Sequence, residues 1–478
     1  AQRRRACGDA PIAAIFSRST RRIDGPAAAR TLVHALLEGP NYALKGNSPR
    51  GTPYAQNHTR DSSNSPPQSA FSRSACNAAT CPRGTENVTF CTAATYNMSN
   101  ELSMRQWASM TRDLPTFKDY HRLIHDEIAR RGLRIALLST DASPINNWNT
   151  IQWAAQNMDD ITEVYGGHHY ANDYMPEESA FYDWFREKCA WGVGIARSKG
   201  KEFILGEFGP AQYLQHKYGI RWDASRWFGT EHEAMSGLQL AEATLGAING
   251  GVRAMGYWTF MDYPDSELRG GINQWGLFKW MKQDALTRAP YYSYGLLTKF
   301  FHGPSRVYEV RSNDGRLRVA AAQRRDGGAW SIAVVNRGSS AAPITLELPG
   351  GVDAKLRKYE YAVAAVPVTE DGDLPGPCGT VRASKGRFAD EVKPNSLTVY
   401  TGLYDDDPPA PVESLRVERT RYTAVPGTPM DAPAVRWRKS PSSDVIYYRV
   451  YYQGRRIGST VATEFIDADV RRGRVGKY

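Results

Sequence analysis

The 478-residue chain lacks most of the features that announce a function directly. None of its six cysteines (Cys7, Cys76, Cys81, Cys91, Cys189 and Cys378) stands in a CxxC pair, and no His spacing accompanies them, so no zinc site is indicated. Cys76 and Cys81 are close enough to bridge in an oxidising compartment, and equally fit two buried thiols. No run approaches the roughly 20 apolar residues of a membrane span. The opening Ala1-Gln2-Arg3-Arg4-Arg5 is basic with no apolar stretch of a signal peptide behind it, and the first residue is not Met, which fits a mature, trimmed or fragmentary chain. No internal repeat of about 20–50 residues marks a solenoid or propeller.

The net charge of +10 invites a polyanion partner, but it is localised. Residues 1–90 carry twelve Lys and Arg against five Asp and Glu, and the rest is nearly balanced. With no nucleic-acid signature beside it, the excess reads as a solvated basic arm, and no nucleic-acid partner is expected. What is abundant is aromatic: 12 Trp and 26 Tyr, rings of the kind that offer flat apolar platforms to sugars.

Along the chain the texture changes three times. Residues 1–87 are irregular and basic, rich in Ser, Pro, Asn, Arg and Gly from 46 to 83. Residues 88–300 alternate strand and helix. Strands are predicted at 88–96, 133–138, 161–170, 203–205 and 254–260, and helices at 114–131, 151–158, 177–198 and 231–249. Near-continuous apolar strands between amphipathic helices imply a parallel sheet covered by helices. A doubly wound sheet and a barrel both satisfy that pattern; the polar and aromatic residues gathered at strand ends favour the barrel. Residues 301–403 switch to period two, an antiparallel β-domain. Residues 404–478 begin with a Pro-rich linker and continue as short strands.

Two glutamates follow predicted strands. Glu101 ends Tyr96-Asn97-Met98-Ser99-Asn100-Glu101, and Glu207 sits in Leu205-Gly206-Glu207-Phe208-Gly209-Pro210. Two carboxyl groups from different strand ends are what cleavage of a glycosidic bond with retention requires: one ionised to attack, one protonated to assist the leaving oxygen, about 5–5.5 Å apart.

The Asn100-Glu101 pair, the Gly206-Glu207-Phe208-Gly209 turn three strands later and the intervening Gly166-Gly167-His168-His169-Tyr170 strand end resemble clan A of the glycoside hydrolases, in particular the family thirty, thirty-nine and seventy-nine type. The resemblance covers about residues 88–403. It implies an α/β fold, a (β/α)8 TIM barrel whose N-terminal strands are atypical or missing here, followed by a C-terminal β-sandwich. Barrel strands four to eight fall on the five predicted strands in order. It implies Glu101 as acid/base, Glu207 as nucleophile, Asn100 on the sugar 2-hydroxyl, and His169 or Tyr170 orienting Glu207, with His168 beside them. Trp258 would form the floor under the sugar, and Trp275 (with Trp280) a wall of the cleft. No cofactor and no metal are called for. Asp141 and Asp262 also stand near strand ends. Three βα units should precede the fourth strand; the 87 residues before 88 do not supply three clear strands, so the start is truncated, divergent or a faulty reading of the gene.

The C-terminal segment resembles a fibronectin type III module cut short, through Pro408-Pro409-Ala410-Pro411, Val435-Arg436-Trp437 and Tyr447-Tyr448-Arg449-Val450-Tyr451. Such modules imply a secreted, polysaccharide-degrading enzyme. The expectation is a retaining glycosidase with a carbohydrate substrate and an undetermined oligomeric state. The alternatives are a non-catalytic carbohydrate-binding protein on a decayed barrel and a nucleic-acid binder using the basic arm.

Overall fold

The computed structural model describes residues 95–96, 114–133, 135–143, 148–171, 179–210, 231–264, 272–273, 275–279, 286–310, 312–369, 372–404, 407–425, 428–442, 445 and 447–468. The chain divides into two compact units, Ala1–Leu403 and Tyr404–Tyr478.

The first unit is mixed α/β. It begins with β1 (Thr95–Tyr96), α1 (Leu114–Arg130), β2 (Ala136–Leu137), α2 (Asn149–Asn157), β3 (Val164–Ala171), α3 (Ser179–Ser198), β4 (Glu202–Pro210), α4 (Glu231–Asn249) and β5 (Ala254–Tyr257). β1 pairs parallel with β2, and β3, β4 and β5 pair parallel in that order. Parallel bridges Leu138↔Val164 and Ala142↔Gly167 join the two sets. Five strands thus lie side by side in chain order, each connection passing through a helix where the chain is described, as parallel pairing demands.

Local sequence explains the elements. In α1 the buried residues Phe117, His121, Ile124 and Ile128 recur at helical spacing, with Tyr120 packed at the edge of the same core. His121 belongs to that apolar face because its Nε2 bonds the Ile161 carbonyl at 2.9 Å. The predicted strand at 161–170 starts later, at Val164, because Asp159–Ile161 closes as a short 3-10 turn first. β4 runs longer than its apolar core 203–205, through Glu207 to Pro210.

A hairpin of β6 (Tyr263–Pro264) and β7 (Ile272–Asn273) follows, then α5 (Ala289–Phe300). The antiparallel part comprises β8 (Ser305–Tyr308), β9 (Leu317–Arg324), β10 (Trp330–Asn336), β11 (Ala342–Glu347), β12 (Ala354–Ala362), β13 (Gly379–Ala383), β14 (Arg387–Val392) and β15 (Ser396–Thr401). Six strands form one sheet, in the order β13-β12-β15-β10-β9-β8, and β11 pairs with β14. Period-two patterning sends alternate residues to two different cores. Ala333, Val335, Leu397 and Val399 join the core of the helices, while Ile332, Val334 and Tyr400 pack with Ile344, Phe388 and Val392 of the small sheet.

α4 is apolar on nearly every side, with Leu238, Leu240, Ala241, Ala243, Leu245 and Ala247 all buried. A helix of that kind must be covered all round. It packs against β3 and β4 on one side and α3, α5 and the six-stranded sheet on the others. The buried Glu242 of α4 is offset by Arg318 of β9, 3.1 Å away, and by Arg337 at 3.5 Å. Asn249 donates to the Val319 carbonyl at 2.8 Å, and Tyr361 donates to the Ala234 carbonyl at 2.6 Å.

The second unit contains β16 (Glu413–Val425), β17 (Thr428–Arg438), β18 (Tyr448–Tyr452), β19 (Arg455–Thr460) and β20 (Glu464–Ile466). β16-β17-β20 form one antiparallel sheet and β18-β19 another, around Val435, Trp437 and Val450.

Candidate active site

The site is built where β3 and β4 end. The register pairs Gly167 with Leu205 and then His168 with Glu207, so Gly206 is an extra residue on β4. Such a bulge re-aims the side chain that follows it. A side chain there would displace the site: a Cβ would stand 2.8 Å from Asp141 Oδ1 and 3.1 Å from His168 Nε2. Gly167 is equally constrained, since a Cβ would lie 2.6 Å from Trp148 Nε1.

Glu207 is buried, at 3% exposure, an unusual place for a carboxylate. Its Oε2 accepts a hydrogen bond from the Tyr170 hydroxyl at 2.5 Å and lies 3.4 Å from His168 Nδ1. His168 Nε2 is in turn 2.7 Å from Asp141 Oδ1, both side chains being fully enclosed. Strand alternation places His168 and Tyr170 on the side of Glu207.

His169 lies on the opposite side. Its ring sits among Phe181, Trp184 and Phe185 of α3, with centroids 6.5, 5.5 and 5.1 Å away. Burial pushes its pKa down to about 3, so the ring is neutral. Of the two residues proposed to orient Glu207, the structure therefore brings Tyr170 to it and directs His169 into the helix layer.

Trp258 directly follows β5, and its backbone N–H donates to the Phe208 carbonyl at 2.9 Å, which fixes it beside the end of β4. Its ring meets Tyr263 edge-on at 6.3 Å. The Trp275 ring lies 4.4 Å from that of Tyr170, and its carbonyl accepts from the Thr259 N–H at 3.2 Å and the Tyr257 hydroxyl at 3.1 Å. Tyr170 thus carries Glu207 on its hydroxyl and Trp275 against its ring.

Asp262 is occupied otherwise. It accepts from the Gly276 N–H at 2.8 Å and from Arg288 Nε at 3.0 Å, and Arg288 also lies 3.6 Å from Glu233. Burial raises the Asp262 carboxyl and Arg288 opposes that shift. The cluster fastens the segment after β5 to the start of α5. Asp141 adopts φ 47°, left-handed backbone that few non-glycine residues take up. Its partnership with His168 is the site feature that sequence reasoning missed; the only hint was its place after a strand.

Asn100, Glu101 and Trp280 lie outside the described residues. Among the described residues no group of three or more His, Cys, Asp or Glu is arranged to hold a metal ion, and no helix is long and apolar enough to cross a membrane.

No family model and no curated protein matches the chain. Solved structures do resemble it. A glycoside hydrolase family 30 subfamily 8 xylanase from Clostridium acetobutylicum is 14% identical, with TM-score 0.46, over 64% of this chain and 65% of that one. An α-L-arabinofuranosidase from Thermotoga maritima is 17% identical, with TM-score 0.48, over 78% and 73%. A 4-O-α-L-rhamnosyl-β-D-glucuronidase from Fusarium oxysporum is 13% identical, with TM-score 0.43, over 64% and 70%. The chain thus spans just under two thirds of the length of the xylanase. Likeness this slight does not carry an activity from one chain to another.

Proposed function

We propose that this chain is a retaining glycoside hydrolase on a (β/α)8 barrel, with Glu207 as nucleophile and Glu101 as acid/base. The observation that carries the reading is a buried carboxylate at the C-terminal end of a parallel strand, held by a tyrosine hydroxyl and a histidine from the adjacent strand. A nucleophile must be ionised, fixed and shielded from bulk water; a donated hydrogen bond favours the charged form, and burial strengthens each contact. Tyr170 and His168 both approach Oε2, and in this reading Oε1 is the oxygen that attacks the sugar carbon. Trp258 and Trp275 supply aromatic faces beside it, and Asn100 a partner for the 2-hydroxyl.

In this reading Glu207 attacks the anomeric carbon while Glu101 protonates the departing oxygen. Water then cleaves the glycosyl-enzyme, with Glu101 acting as base. No cofactor takes part. The substrate is a polysaccharide or its oligomers. We read the second unit, two antiparallel sheets around Val435, Trp437 and Val450, as part of a fibronectin type III-like module, and take the enzyme to be secreted on that reading.

The test is release of reducing sugar from xylan and arabinan, and of nitrophenol from p-nitrophenyl β-D-xyloside, α-L-arabinofuranoside and β-D-glucuronide, by the full chain. Turnover abolished in Glu207→Gln supports the reading. Binding of these glycans without turnover would replace it with a carbohydrate-binding protein.

A further inference from the structure

Resting on the reading of Trp275 as a wall of the sugar-binding cleft, we propose that Asp262 and Arg288 form a buried clasp that sets where Trp275 stands, and so how tightly the sugar is bound. The two are positioning residues for binding and take no part in breaking the glycosidic bond.

The segment that carries Trp275 is laced to the end of β5 and the stretch after it. The Trp275 carbonyl accepts from the Thr259 N–H and the Tyr257 hydroxyl. The Leu277 and Phe278 N–H groups each donate to the Phe260 carbonyl at 3.1 Å, and the Asp262 N–H donates to the Phe278 carbonyl at 2.9 Å. Position 276 lies so close in this lacing that a Cβ would stand 2.6 Å from the Met261 carbonyl carbon. Asp262 then grips the segment by its side chain. Its Oδ1 accepts from the Gly276 N–H, next to Trp275, at 2.8 Å; its Oδ2 accepts from Arg288 Nε at 3.0 Å and Nη2 at 2.5 Å. The Arg288 backbone N–H donates to the Leu277 carbonyl at 2.8 Å. Arg288 therefore holds residue 277 directly and residue 276 through Asp262. Both side chains are buried, as is Glu233 of α4, 3.6 Å from Arg288.

Charges taken out of water are costly, and apolar side chains of the same volume often stabilise a fold as well or better. What a guanidinium on a carboxylate adds is direction, because its donors lie in one fixed plane. Here the direction is imposed on the two residues after Trp275, whose ring lies 4.4 Å from that of Tyr170. Tyr170 keeps its own hydrogen bond to Glu207, so a displaced Trp275 changes the fit of the sugar more than the chemistry.

The test exploits the fact that Asp262 receives donors on both oxygens. In Asp262→Asn one of those donors must face an amide NH2, so the clasp is lost with hardly any change of volume. On the p-nitrophenyl glycoside that the full chain hydrolyses, this variant should raise KM about tenfold with kcat within about threefold. Arg288→Lys keeps the charge but loses the planar donors; it should raise KM about fivefold, and it serves if Asp262→Asn does not fold. Either increase should shrink to less than about twofold in a Trp275→Ala background, because the clasp acts through that ring. A KM that does not move, or increases that multiply in the double variants, overturns the proposal; a role in stability alone gives one of those two results. The comparison can also be made without turnover. In the Glu207→Gln chain, calorimetry with xylohexaose and arabinohexaose should show Asp262→Asn weakening binding about tenfold only while Trp275 is present. A chain that binds through the clasp but cleaves no glycoside sinks the glycosidase reading and keeps this inference. An active enzyme with multiplying effects sinks this inference alone, and a chain that neither binds nor cleaves sinks both.

Discussion

The Tyr170 hydroxyl donates to Glu207 Oε2 at 2.5 Å, across two adjacent parallel strands. A hydrogen bond to a buried carboxylate is worth about 1.5–3 kcal/mol. Tyr170→Phe is therefore expected to lower kcat roughly ten- to a hundredfold while leaving KM within about threefold, measured by initial rates on an aryl glycoside. An equal fall in kcat/KM through KM alone would mean that Tyr170 serves binding instead.

Glu207 should be the residue that becomes covalently glycosylated. A 2-deoxy-2-fluoro glycosyl fluoride traps such an intermediate, and peptide mass spectrometry should place the added sugar on the peptide containing Glu207. Label on another carboxylate would remove Glu207 from its assigned role. Glu207→Ala should lose about 10⁴-fold or more in kcat, and azide should restore part of it as a glycosyl azide.

Glu101→Ala should separate substrates by leaving group. A dinitrophenyl glycoside needs no proton to depart, so its first step should survive, whereas xylan or arabinan hydrolysis should fall by about 10²–10⁴. Equal losses on both would argue that position 101 is not the proton donor.

Stability should fall on acidification through two buried histidines. Burial pushes His169 down to about 3 and His121 to about 4, against about 6.5 in the unfolded chain. Below about pH 6.5 the unfolded chain binds protons that the folded one refuses. The stabilisation is thus fully present above pH 6.5 and is lost as pH falls toward 4 and then 3. Each histidine should cost about 2 kcal/mol between pH 7.5 and pH 5, read by urea unfolding at the two pH values. His169→Phe should remove about half of that difference; an unchanged difference would mean that His169 is not buried neutral.

Arg318→Leu should destabilise the first unit by about 3 kcal/mol, since it strips a partner from the buried Glu242 and leaves Arg337 alone to offset it. Thermal unfolding measures this, and Glu242→Leu with Arg337→Met, added to Arg318→Leu, should recover much of the loss because no buried charge of the cluster is then left over. A triple variant no better than the single one would mean that packing, not charge, fails.

How much of this was legible in the sequence depends on whether the signal is local. β3 and β4 could be read because their apolar runs end in residues with no business in a core, His168 and Glu207. The more polar strands of the antiparallel sheets were harder: β12, β13 and β14 set Lys, Arg, Asp or Glu among their buried residues, β19 has no fully buried residue, and none has a long apolar stretch. The choice between His169 and Tyr170 turns on strand parity and on the bulge at Gly206, which shifts the pairing by one residue and is invisible without the partner strand. Asp141 was harder still. Its relation to His168 depends on a left-handed backbone angle and on the bridge between Ala142 and Gly167, neither of which leaves a motif.

α4 is walled on one side by the strands that present Glu207 and on the other by the six-stranded sheet. Its residues therefore answer to two masters. A substitution that suits the sheet is felt by β4, and one that tunes β4 is felt by Tyr361 and Arg318. The strand-helix part and the β-sandwich are thus bound to a shared inheritance: recombination that exchanged either for a relative's copy would have to bring the other along or refit the helix between them.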